Sequence, residues 1–73
     1  MNTLAALDIF ANYLPGLEIV LYPRLVEMLY NGERIVAQTL PAAVQALVER
    51  ILKNPASTVA IVEAIKGLPG AQK

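Results

Sequence analysis

The 73-residue chain contains no cysteine, no histidine and no tryptophan. Without cysteine there is no disulfide staple and no thiolate metal site. Without histidine there is no imidazole to ligate a metal or act as a base near neutral pH. Charge is also scarce, at 16% of residues against about 25% in a typical soluble domain. Yet no stretch of the length a simple spanning helix needs is free of charge. The longest neutral run is Ile35 to Val48, and Pro41 sits inside it. The opening residues "MNTLAALDIF" carry no basic segment, and Asp8 interrupts their apolar run. They do not read as a signal peptide, so a cytoplasmic or particle-associated location is the expectation.

What the chain has in excess is aliphatic side chain. Apolar residues make up 56% of it, mostly Leu, Ala, Val and Ile, and the aromatics are Phe10 and three tyrosines. A domain this short buries only about 60% of its unfolded surface. Some of the apolar surface is therefore expected to face a partner, a second copy or lipid.

The formal net charge is zero, but its halves differ. Residues 1–33 hold Asp8, Glu18, Glu27 and Glu33 against Arg24 alone. Residues 34–73 hold Arg34, Arg50, Lys53, Lys66 and Lys73 against Glu49 and Glu63. This acidic-to-basic split suits an antiparallel hairpin or head-to-tail stacking of copies.

Helical signals dominate the pattern. Thr3 to Tyr13 reads as a first helix, capped by Asn2 or Thr3, with Leu4, Leu7, Ala11 and Leu14 along one face. Pro15-Gly16 ends it. Residues 24–31 can be read in two ways. Asn31-Gly32 between apolar runs is a hairpin signal, pairing 24–30 with 33–39. Strict alternation fails, however, because both faces of such a strand mix charge with apolar residues. On a helix, Arg24, Glu27 and Asn31 form a polar stripe opposite Leu25, Met28 and Leu29, and Gly32 becomes the residue past the helix end. The helix is the expected reading. Pro23 then starts or kinks it, with residues 17–22 as a short extended or helical arm. "ERIVAQTL" supplies two further turns.

"PAAVQALVERILKN" is the clearest helix, with Val44, Leu47, Val48, Ile51 and Leu52 on one face. Asn54-Pro55 is expected to close it and open the next. That last helix puts Thr58, Ile61, Val62, Ile65 and Leu68 on one side and Ala56, Ala60 and Ala64 on another. Gly67 and Pro69-Gly70 stop it. The expected fold is all-α: one domain of four to five short helices in a small bundle or hairpin array.

No residue pattern points to catalysis. Ser57, the only serine, lies where hydroxyls engage backbone N–H groups, and no base accompanies it. Glu18 stands in an apolar run, where it is expected to pair with Arg24 or Arg34. The carboxylates have no metal-loop spacing. "GLPG" at 67–70 formally matches a phosphate clamp, but little positive charge surrounds it. The cations of the C-terminal half make no basic face for nucleic acid.

The expectation is a non-enzymatic structural subunit with no cofactor, no metal, no nucleic acid and no small-molecule substrate. It packs into a homo-oligomer or larger assembly; a virus or phage particle and a multi-subunit complex are settings suited to it. Small residues let helices approach closely, and tyrosine suits interfaces. The candidate interface is therefore Ala42, Ala46, Ala56, Ala60 and Ala64 with Tyr13, Tyr22 and Tyr30. The alternative is a membrane-associated or membrane-active helical protein, either a pore former or an interfacial anchor.

Overall fold

The computed structural model describes residues 2–68. These fold as an α+β domain in the order α1 (Thr3–Tyr13), β1 (Glu18–Leu21), β2 (Val26–Tyr30), β3 (Glu33–Ala37), α2 (Leu40–Lys53) and α3 (Val59–Lys66). The strands form an antiparallel meander in the order β1-β2-β3. The all-α expectation is thus overturned. Residues 26–37, expected to be helical, are two strands of this sheet, and residues 17–22, left open between an extended and a helical arm, hold the third.

Two features explain the hairpin. Asn31 and Gly32 both adopt positive φ, at 53° and 80°. This is the conformation a two-residue turn needs to match the twist of its strands, and Asn-Gly adopts it at low cost. Tyr30 then faces Glu33, Met28 faces Ile35 and Val26 faces Ala37. Strand β2 begins at Val26, so Arg24 lies outside the alternation. Val26, Met28 and Tyr30 turn toward the helices, while Glu27 and Leu29 turn to the opposite face. The charge that spoiled the strand pattern is met locally. Arg34 forms an ion pair through Nε with Glu27 Oε2, and the Tyr22 hydroxyl donates to Glu27 Oε1 at 3.3 Å. Pro23 neither starts nor kinks a helix. It sits with Arg24 in the turn between β1 and β2, closed by the Tyr22 N–H to the Leu25 carbonyl at 2.9 Å.

The helices form where periodicity placed them, with some changes of face and cap. The Asn2 side chain caps α1 by accepting the Ala5 N–H at 3.1 Å. Its buried stripe is Ala6, Phe10 and Leu14, whereas Leu4 and Ala11 are exposed. A turn at Pro15-Gly16 follows, closed by the Leu17 N–H to the Leu14 carbonyl at 3.1 Å. Thr39 caps α2, accepting from the Ala42 N–H at 3.2 Å, and Pro41 sits in the first turn, where its missing donor costs nothing. Asn54 closes α2 but does not open α3; Thr58 caps α3 instead. Gly67 ends α3 in a right-handed conformation. Residues 69–70 of the "GLPG" run lie outside the described residues.

One core joins the elements. Phe10, Met28, Val44, Val48 and Ile65 are its largest fully buried side chains. Each such burial is worth about 1.5–3 kcal/mol relative to exposure. Helix α2 packs on β3 and β2, and α1 packs on α2 and α3. Among the elements, β1 packs on β2 alone. The helix layer therefore covers two strands and stops short of the third.

The Arg34–Glu27 and Arg50–Glu33 ion pairs each join the acidic half of the chain to the basic half. The polarity seen in the sequence is used within the hairpin and between the hairpin and α2.

Candidate interaction surfaces

Three features of the surface could receive another molecule. The first is a cleft of about 620 Å³ where the end of α1, the β2–β3 hairpin, α2 and the α2–α3 loop converge. Leu14, Met28, Ile35, Leu47, Ile51 and Ile61 line its apolar side. Its rim includes the Glu33–Arg50 pair, in which Arg50 Nη1 donates to Glu33 Oε1 at 2.6 Å. The loop 54–58 forming the opposite wall is stitched to itself and to α2. Asn54 Oδ1 accepts from the Ala56 N–H at 2.9 Å, and Ser57 Oγ donates to the Ile51 carbonyl at 2.7 Å. The only serine hydroxyl thus donates its proton to a backbone carbonyl. The cleft can hold an apolar group.

The second feature is the edge of the sheet at β1. The Tyr22–Leu25 hydrogen bond sets the phase of the β1–β2 ladder. In an antiparallel ladder, bonded and non-bonded pairs alternate. Glu18, Val20 and Tyr22 therefore point their backbone groups at β2, while Ile19 and Leu21 point theirs outward. Those same two residues carry the side chains that face the helix side without reaching cover. Leu21 is 69% exposed and Ile19 38%. Tyr22, next in the chain, is half exposed.

The third is the outer face of the sheet. Val20, Glu27 and Val36 lie side by side across the strands there. Glu27 is covered by its neighbours, its side chain being 10% exposed, while its partner Arg34 is 66% exposed. Glu18, by contrast, is exposed, and Arg34 is engaged by Glu27.

The candidate interface residues scatter over these features. Tyr13, Tyr30, Ala46 and Ala56 come together in the lining of the cleft. Tyr22 is not part of that lining, and its hydroxyl donates to Glu27. Ala42 and Ala60 are exposed on α2 and α3, and Ala64 is half-buried on α3. Ile19 and Leu21 were absent from that set. With residues 24–31 read as helix, nothing in the sequence signalled a sheet edge. Among the described residues, no helix is long and apolar enough to cross a membrane, and no cluster of three or more acidic, histidine or cysteine side chains could hold a metal. No protein-family model, curated protein or solved structure matches the chain.

Proposed function

We propose that this protein is a non-catalytic interaction subunit that packs with copies of itself, or with other proteins, in an assembly. The observation that carries the reading is the uncovered apolar strand β1. Ile19 and Leu21 stand exposed side by side on an unpaired sheet edge, and Tyr22, just past the strand, is half exposed on the other face. Isolated exposed leucines are ordinary, but adjacent ones on an open edge form a binding surface. The cleft adds to this reading. An apolar floor ringed by polar groups suits an anchor side chain from a partner.

The test is light scattering of the purified chain across a concentration series, with and without detergent. A discrete oligomer in the absence of detergent is the expected result. A compact monomer at every concentration, failing to bind any partner, overturns the reading. Aggregation relieved only by detergent overturns it in favour of lipid contact.

A further inference from the structure

We infer that β1 pairs antiparallel with β1 of a second copy, in a single register, to make one continuous six-stranded sheet. The inference rests on the interaction-subunit reading and specifies its partner and contact. The argument is one of self-complementarity. An isologous contact requires each residue to meet a mate that can return the same bonds. The outward backbone groups of β1 belong to Ile19 and Leu21. Placing Ile19 opposite Leu21 of the second copy lets each N–H meet a carbonyl, giving about four backbone hydrogen bonds across the axis. Val20 then faces Val20 of the second copy on the two-fold axis.

The neighbouring registers are poorer. Shifting the pair so that Leu21 faces its own copy puts Ile19 opposite Pro23, which has no N–H to give. Shifting it the other way puts Leu21 opposite Leu17, whose N–H already serves the Leu14 carbonyl. The chosen register sets Glu18 opposite Tyr22 of the second copy, both of them exposed.

The other sheet edge differs. Strand β3 has its inner face packed by α2 and carries Glu33 and Arg34, both in ion pairs. Natural edge strands are commonly guarded by lysine, proline or a bulge. Strand β1, reading "EIVL", has none of these between Glu18 and Leu21, and its register with β2 runs unbroken.

The experiment combines hydrogen exchange with cross-linking. In the wild-type chain, the amides of Ile19 and Leu21 are expected to pass from unprotected to protected as concentration rises. Those of Val20 and Tyr22 stay protected throughout. Because the chain has no cysteine, Val20→Cys introduces a single thiol. In a non-bonded antiparallel pair the Cα atoms lie about 4.5 Å apart, within disulfide range. Mild oxidation is then expected to yield a covalent dimer, with Leu29→Cys, on the same face of the central strand, yielding little. Leu21→Lys, with folding checked by circular dichroism, is expected to weaken association by ~10-fold or more.

An oligomer whose Ile19 and Leu21 amides remain unprotected, and whose Val20→Cys variant does not cross-link, overturns this contact while leaving the broader reading intact. A chain monomeric at all concentrations, by itself and with candidate partners, overturns both. Cross-linking of Ile19→Cys or Leu21→Cys in preference to Val20→Cys overturns the register.

Discussion

Removing the guanidinium from Arg34 isolates a carboxylate that the fold has largely withdrawn from water. In the native chain Glu27 lies mid-strand on the outer face, between Val20 and Val36, with Arg34 on one oxygen and the Tyr22 hydroxyl on the other. Two unit charges about 4 Å apart attract by ~4 kcal/mol at an effective dielectric constant of 20. That figure is a ceiling here, because Arg34 is two-thirds exposed and well screened. Exposed pairs are worth about 0–1 kcal/mol, and breaking a buried pair costs about 3–5 kcal/mol. With one partner buried and the other wet, Arg34→Ala is expected to destabilise the domain by about 2 kcal/mol. For a chain of this size that lowers Tm by roughly 10 °C.

The assay is urea unfolding followed by far-ultraviolet circular dichroism, run as a double-mutant cycle with Glu27→Gln. Once the carboxylate is neutral, loss of Arg34 should cost much less, leaving a coupling of at least about 1 kcal/mol. Glu27→Leu should be close to neutral or stabilising, since an apolar residue of similar size suits the valines beside it. If Arg34→Ala costs under about 0.5 kcal/mol, or the two substitutions simply add, Glu27 is solvated and its pairing with Arg34 does not stabilise the hairpin.

Two further outcomes follow from the core and the turn. Phe10→Ala removes a fully buried ring where α1 meets the rest of the core; a loss of about 3–5 kcal/mol is expected in the same unfolding assay, and a loss below 1 would mean α1 is not docked. Gly32→Ala meets no atom within 4 Å, so its cost is that of the positive φ alone. About 1–2 kcal/mol is expected, and Asn31→Gly, at a position already at φ 53°, should be tolerated; a neutral Gly32→Ala would argue against the two-residue turn.

The helices were legible in the sequence because they rest on local signals. Val44, Leu47, Val48 and Ile51 repeat with the helical period and are all buried, as are Ile61, Ile65 and Leu68. Such a stripe needs only the neighbouring turn to declare itself. The face of α1 was less legible. Leu4 and Ala11 fit the period as well as Ala6 and Phe10 do, and only the placement of α2 and α3 decides which stripe is buried. Asn54-Pro55 is a stronger local capping pair than Thr39 or Thr58, yet Asn54 only closes α2 while the threonines cap α2 and α3.

The sheet was hidden by a different cause. In residues 24–30 a glutamate interrupts the apolar face of a short strand, and the same residues give a clean helical stripe. The Asn-Gly turn pointed the other way, and the contest between these signals could not be settled within the segment. It is settled by Arg34 on β3 and Tyr22 just past the end of β1, which reach Glu27 from either side. Local pattern cannot show that, because the compensation exists only once the strands are paired. The same reasoning bears on where the excess apolar surface lies. The alanine stripes marked by helical periodicity place two of their members, Ala46 and Ala56, in the cleft lining. Pairing three strands instead creates an edge, and an edge has a property no stripe of small residues has: its unmet backbone bonds fix both the direction and the register of whatever covers it. For β1 those bonds sit on Ile19 and Leu21, flanked by Leu17, whose N–H is already used, and Pro23, which has none. A segment bounded in that way has little freedom to slide, and so it specifies one neighbour more sharply than an apolar patch of equal size.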